Sequence, residues 1–222
     1  MTKRGRVVIG LWGLLLLAGA AGGVSGGLDT ESGTLSIYFV DEKVGYEEYT
    51  WSEEPGGYVL KVLGRMTKPF RLEVESLTIR LSRDYIPTEF SFKGSLNGMD
   101  QDVTSVIREG RVRNTIKTGG QESVTETQIR RDALILPNPI FSPYLVLAKK
   151  YGCGLKDRTE VSVYMIPQVE IAGSLQSAAG NPCLLTLNLA GVEISLETDA
   201  DGHFVSLSMP AQSLKVVPDK TD

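Results

Sequence analysis

A single histidine limits the chemistry open to this chain. His203 stands alone among 222 residues, so a Ser/His/Asp triad, a Cys/His pair or a multi-histidine metal site lacks its usual base or ligand. Its place beside a predicted hairpin turn makes it an exposed turn residue. The preceding Glu197-Thr198-Asp199-Ala200-Asp201-Gly202 has the alternate acidic spacing and the glycine of a calcium loop. Counting on from Glu197, the bidentate carboxylate that should close such a loop falls at Ser208, which cannot supply it. Asp-Ala-Asp-Gly then reads as hairpin chemistry, with Gly202 taking a positive φ. Three carboxylate pairs could share acid–base work: Asp41 with Glu42, Glu47 with Glu48, and Glu53 with Glu54. All fall at expected turns or strand ends and read as a solvated face. No Gly-x-Ser-x-Gly, phosphate loop, Cys-x-x-Cys or His-Glu-x-x-His occurs. The sequence therefore predicts a non-enzymatic protein with no metal site and no cofactor.

The aromatic side chains say more. They crowd the first half of the chain, and if the first strands curl into a concave wall, Tyr38, Tyr49, Trp51, Tyr58, Phe90 and Phe92 can line a cavity for an apolar ligand. Tyr144, from a later helix, joins them as a candidate. The competing role for all seven is ordinary core packing beneath that helix. Cys153 and Cys183 are the two cysteines of the chain. In an oxidising compartment they are expected to form a disulfide that staples the end of the helix to the last sheet segment. Two buried free thiols are the alternative, because spacing does not give their distance.

The elements that must position these residues are nearly all strands. Residues 1–20 carry Lys3, Arg4 and Arg6, an apolar run from Val7 to Leu17, and Ala18-Gly19-Ala20, the pattern of a secretory signal peptide. The run is short of the ~20 residues a membrane span needs, so the expectation is an exported protein, periplasmic or extracellular, soluble once the peptide is removed and with no membrane span after cleavage. The mature chain would carry 20 basic against 27 acidic residues, a poor match for nucleic acid or anionic lipid. Residues 21–33 read as a flexible Gly-rich leader, 34–217 as one β-rich domain and 218–222 as a tail. Within the domain, alternating runs separated by Glu54-Pro55-Gly56-Gly57, Asn97-Gly98, Glu109-Gly110, Gly119-Gly120 and Ala190-Gly191 predict antiparallel meanders. The apolar phase of 70–82 reverses near Glu75-Ser76, which predicts a bulge there. Gln121 to Gln128 is polar on both faces and reads first as a sheet edge, with an exposed flap or a wall facing a wet cavity as the alternatives. Pro137 to Cys153 is the one mature stretch that reads as a helix, with Ser142 as N-cap, Lys149 and Lys150 in the last turn and Gly152 as C-cap.

Several stretches carry a resemblance: Val44-Gly45-Tyr46-Glu47, Asp84-Tyr85-Ile86-Pro87-Thr88, Ile135-Leu136-Pro137-Asn138, and Asp201-Gly202-His203-Phe204-Val205 leading to Met209-Pro210. With the signal peptide they resemble a group of exported bacterial proteins of uncharacterised function. In architecture that group is similar to the curled half-barrels of the Lol lipoprotein carriers and related glycolipid-binding proteins. The resemblance implies a strongly curled antiparallel sheet, a half-barrel or spiral β-roll, with the principal helix on its concave side and an apolar cavity between. The expected function is binding of a lipid or other hydrophobic ligand. The alternative is an interaction module that docks on a cell-envelope protein through a sheet edge.

Overall fold

The computed structural model describes residues 30–219. The stretch expected to be a signal peptide, most of the expected leader and residues 220–222 of the expected tail lie outside the described residues. The chain first forms eight strands in succession: β1 (Thr30–Phe39), β2 (Glu42–Glu54), β3 (Gly57–Met66), β4 (Leu72–Ser82), β5 (Pro87–Leu96), β6 (Met99–Arg108), β7 (Arg111–Thr118) and β8 (Gln121–Gln128). After the short β9 (Leu134–Ile135) it makes a 3-10 turn (Ser142–Tyr144) that runs into α1 (Leu145–Tyr151). It then returns as β10 (Thr159–Met165), β11 (Val169–Ala178), β12 (Asn181–Leu189), β13 (Val192–Thr198), β14 (Phe204–Met209) and β15 (Leu214–Pro218). All fifteen strands belong to one sheet, ordered β8-β7-β6-β5-β4-β3-β2-β1-β15-β14-β13-β12-β11-β10-β9. Neighbours are antiparallel except β9 and β10, which run parallel. Two meanders are thus joined where β15 pairs with β1, Phe39 opposite Leu214. Residues 30–33, expected in the leader, are strand, because β1 pairs with β2 from Thr30 onward.

The predicted turns hold. Asn97 and Gly98 have φ of 52° and 79°, the left-handed pair a two-residue hairpin needs. The predicted bulge is a register shift between Val74 and Ser76, and it lets Val74 and Leu77 both face the core. Phe70, expected to open a long strand, lies instead in the 67–71 loop, since β4 starts at Leu72. β8 is an edge, as its two-sided polarity predicts, and both its faces are open to solvent.

Because successive strands reverse, their connections fall at two ends of the sheet. The connections at 40–41, 67–71, 97–98, 119–120, 166–168, 190–191 and 210–213 share one end, and 55–56, 83–86, 109–110, 179–180 and 199–203 the other. The 3-10 turn starts at the first of these, the entry end, and α1 finishes at the second, the exit end. Ser142 through Ala148 are all buried, so the segment is covered on every side rather than on one stripe, the condition of a core helix.

One hydrogen bond of a buried polar network joins strands that are far apart in the sheet order. Asn114 on β7 donates through Nδ2 to Tyr164 Oη on β10 at 2.8 Å, and accepts from Ser105 Oγ at 2.7 Å. All three residues are fully buried, so this polar network is satisfied inside the core, as burial requires. Residues 129–133 alone connect β8 to β9, the two edges of the sheet.

Candidate functional site: the fixed helix and the groove at its entrance

The helical segment is held at three points. At its start, Glu47 on β2 accepts hydrogen bonds from Phe141 N at 2.8 Å, Ser142 N at 2.6 Å and Ser142 Oγ at 2.5 Å. Ser142 is therefore not the N-cap: Phe141 holds that position without a side-chain cap bond, and the carboxylate of a distant strand meets the free N–H groups instead. Glu47 is also not part of a solvated carboxylate pair. It is 1% exposed, in phase with Tyr49 and Trp51 on the inward face of β2, while Glu48 points to solvent. Burial raises its pKa above the ordinary carboxylate value, against the lowering effect of the bonds from Ser142 and Phe141. Along the helix, Lys149 pairs with Glu31 on β1. At its end, Gly152 takes a φ of 46° and its N–H closes the helix on Ala148 O at 2.8 Å. The next residue but one to Tyr151, Cys153, is disulfide-bonded to Cys183 on β12.

A helix so fixed leaves no lipid-sized void beneath it among the described residues. Leu145, Val146, Leu147 and Ala148 are at most 4% exposed, and Leu35, Ile37, Leu60, Val163 and Leu187, members of the same buried core, at most 1%. Where the cavity was expected, these side chains are closed off from solvent.

The open apolar space lies at the entry end. A groove of about 360 Å³ runs between Phe39, Met66, Pro69, Phe70 and Leu214 on one side and Pro139 and Phe141 on the other. Asn138 and Gln212 stand at its rim, both exposed. Met66 and Phe141 form a buried floor at 1% and 3% exposure. A narrower cleft of about 60 Å³ lies across Asn138 and Pro139, bounded by Phe90, Phe92, Leu96, Ile140 and Ile166. By contrast, a hollow of about 670 Å³ on the exposed face of β1–β4 is lined largely by polar residues, among them Ser32, Thr34, Glu48, Thr50, Lys61 and Thr78.

The seven aromatic candidates are not brought into one lining. Phe90 and Phe92 border the narrow cleft. Tyr38 lies on the outward face beside Val40, Pro210 and Lys215. Tyr49 covers Gly33, where a Cβ would meet its ring at 2.9 Å, and donates its hydroxyl to Glu31 at 3.1 Å. Its pKa is pushed up to about 12, first by burial and then by the Glu31 charge. Trp51 and Tyr58 sit at the exit end, where Tyr58 stacks on Tyr85 at 4.8 Å and Trp51 lies 5.5 Å from Tyr58. Tyr144 is a buried part of the helical segment, its hydroxyl raised in pKa by burial alone. The groove is built from other residues: Phe39, Met66, Phe70, Phe141 and Leu214.

Asp199, Asp201 and His203 bring ligand-type atoms within 4.8 Å of one another, all exposed. Asp199 Oδ1 accepts from Asp201 N and His203 N, each at 2.9 Å. This is the side-chain-closed turn that the sequence predicts. The outward carboxylates Glu42, Glu53 and Glu54 pair with Lys68, Arg83 and Arg80, exposed contacts of small energetic weight.

Among the described residues no helix is long and apolar enough to cross a membrane. No family model matches the chain, and no curated protein matches it in sequence. Among solved structures it is similar to the crystal structure of a DUF1089 family protein from Pseudomonas aeruginosa, at 12% identity and a TM-score of 0.43, over 95% of this chain and 98% of that one. A likeness of that strength gives no residue of this chain a role.

Proposed function

We propose that the protein is an exported, non-enzymatic binding protein that takes a hydrophobic or lipid-like ligand in the groove at the helix entrance. The observation that carries this reading is the groove itself. Its volume of about 360 Å³ falls in the ordinary range of ligand sites, roughly 300–1,000 Å³, and it combines apolar walls with a few polar rim groups. Asn138 and Gln212 are placed to hydrogen-bond a polar end while Met66, Phe141 and Leu214 cover an apolar body. Export rests on the pattern of residues 1–20.

The same reading has the sheet wrapping around the helical segment. Two facts support it. Gln128 and Leu134, six residues apart on opposite sheet edges, can be separated by at most roughly 20 Å of chain. The edges of a flat sheet of 15 strands would lie roughly 67 Å apart at about 4.8 Å per step. The Asn114–Tyr164 hydrogen bond, between strands second from each edge, favours the same geometry.

Laurate titration followed by native mass spectrometry tests the ligand reading. Wild type is expected to bind one laurate and to carry lipid when purified from its host. Leu214→Trp, which fills the groove, and Gln212→Trp, at an exposed rim position, are both expected to weaken laurate. Absence of bound lipid together with laurate affinity unchanged in both variants refutes it. A second reading, docking on an envelope partner, is favoured by β8, whose eight residues lie at a free sheet edge with no buried side chain. Cross-linking in the native envelope separates the two: an adduct lost on Val124→Pro supports docking.

A further inference from the structure

The sheet ends in two unlike edges. β9 is two residues long and both are buried, the short, covered kind of edge that keeps a sheet from pairing outward. β8 is eight residues long, with seven exposed and Thr127 half-buried. It pairs with β7 over its whole length, from Thr118 opposite Gln121 to Arg111 opposite Gln128, with no bulge. Among the described residues no backbone hydrogen bond joins it to any other segment. Its sequence, Gln-Glu-Ser-Val-Thr-Glu-Thr-Gln, has no proline, lysine or arginine, so the usual devices that blunt an exposed edge are missing. Its two carboxylates are already matched, Glu122 by Lys117 and Glu126 by Arg111, both on β7.

The hairpin fixes which backbone groups face outward. Gly119-Gly120 is a two-residue turn with φ of 58° and 80°, and in such a turn the flanking residues, here Thr118 and Gln121, bond each other. Gln121, Ser123, Thr125 and Thr127 therefore turn their N–H and C=O groups to β7. Glu122, Val124, Glu126 and Gln128 turn theirs to the open side. An open row of this kind accepts an extended segment, and the side chains decide which segment fits.

This strand fits a second copy of itself. A two-fold axis normal to the sheet sets residues of the same face opposite each other in two antiparallel copies. Placed at Val124 it pairs residues 121–127, and placed at Thr125 it pairs residues 122–128. The first register puts Glu122 opposite Glu126 of the second copy, and Glu126 opposite Glu122, like-charge pairs that weaken a sheet. The second register removes both clashes. Glu122 then meets Gln128 and Val124 meets Glu126 on one face, while Ser123 meets Thr127 and Thr125 meets its own copy on the other. Hydroxyl pairs of this kind are favourable across strands, and a carboxylate accepts from an amide. A two-fold pairing also closes at two copies, so it does not propagate into a fibre.

We propose that β8 is a homodimer edge: two copies of the chain join antiparallel through residues 122–128, about a two-fold axis at Thr125, so that the sheet continues from one copy into the other. The groove is built from other elements, so this pairing and the ligand reading fail separately.

Sedimentation equilibrium of the full chain, as the cell processes it, tests the pairing. One strand pair is a small interface of the weak class, so wild type is expected to pass from monomer to dimer as its concentration rises. Val124→Pro removes an N–H from the open side and leaves the bonds to β7 in place. It should weaken the dimer more than about tenfold while the dilute protein keeps its circular dichroism. Mild oxidation with glutathione disulfide reads the register. Thr125→Cys should give a covalent dimer, because a non-hydrogen-bonded pair stands about 4.5 Å apart at Cα. Asn114 keeps its bonds to Ser105 and Tyr164 in that variant. Val124→Cys should not cross-link, since an offset of two residues carries it past the ~7 Å limit. Wild type that stays monomeric at about 1 mM overturns the proposal. So does a dimer that Val124→Pro leaves intact, or cross-linking of Val124→Cys in preference to Thr125→Cys. A monomer whose β8 is cross-linked to an envelope protein gives the edge to a foreign strand and also overturns it. Dimerisation without laurate binding leaves the pairing standing and removes the ligand reading.

Discussion

Replacing Glu47 tests how the helical segment is anchored. Glu47→Ala strands three buried donors at once: Phe141 N, Ser142 N and Ser142 Oγ, now 2.8, 2.6 and 2.5 Å from the carboxylate. An unsatisfied buried donor costs about 1–3 kcal/mol, and water admitted to the vacated space recovers part of it, so a loss of about 4 kcal/mol is expected in urea unfolding. Ser142→Ala removes one donor and its bond together and should cost about 1 kcal/mol. Glu47→Gln keeps the shape and removes the titration, which exposes the pH dependence. The folded carboxyl has a raised pKa because burial outweighs the donors, so the folded state holds the proton to higher pH than the unfolded state. Stability linked to this group is then present in acid, below the ordinary value of 4.5, and lost as pH rises through the folded pKa. The margin of wild type over Glu47→Gln should therefore shrink as pH rises from about 4 toward neutrality. A margin that grows with pH would mean the three donors outweigh burial. A Glu47→Ala loss under about 1 kcal/mol would mean the carboxylate does not anchor the helix at all.

Three further predictions concern the frame around the helix. Cys153→Ser with Cys183→Ser opens a link between residues 30 apart and should lower unfolding free energy by about 3.6 kcal/mol on the chain-entropy model, with laurate binding retained if the groove is the site. Tyr164→Phe deletes the acceptor 2.8 Å from Asn114 Nδ2 and should cost about 1–2 kcal/mol; a double-mutant cycle with Asn114→Ala should show non-additivity, and additive losses would argue that β7 and β10 do not communicate. Gly57→Ala places a Cβ 1.8 Å from Leu81 O, a backbone clash that should cost at least about 2 kcal/mol by thermal or urea unfolding.

Local features were legible in the sequence where local chemistry determines them. Asn97-Gly98 and Gly119-Gly120 turn where two-residue hairpins must, the phase reversal at 75–76 is a bulge, and the helix ends at Gly152. Cys153 and Cys183 are bonded, the first of the two states that the sequence left open. Non-local pairing was not legible. Nothing within Leu214 to Pro218 says that it pairs with β1, where Asp219 accepts from the hydroxyl of Ser36, 183 residues back. Glu47 was misread because a carboxylate next to Glu48 looks solvated. Its phase with Tyr49 and Trp51 was the available clue, and the compensating donors lie 94 residues on. Ser142 has the right type for an N-cap, but its hydroxyl donates to that carboxylate rather than accepting from its own helix. The groove escaped because aromatic crowding marks packing as readily as binding. Phe90 and Phe92 serve the core, whereas the groove takes single residues from β1, β3, the 67–71 loop, the helix entrance and β15.

The most direct test of where a ligand lies is a methyl NMR titration with laurate. The groove reading predicts that the methyl signals of Met66 and Leu214 shift in a saturable way while those of Leu145, Val146 and Leu147 stay fixed. Shifts centred on the three helix residues, with Met66 and Leu214 unmoved, would place the ligand beneath the helix and contradict the account.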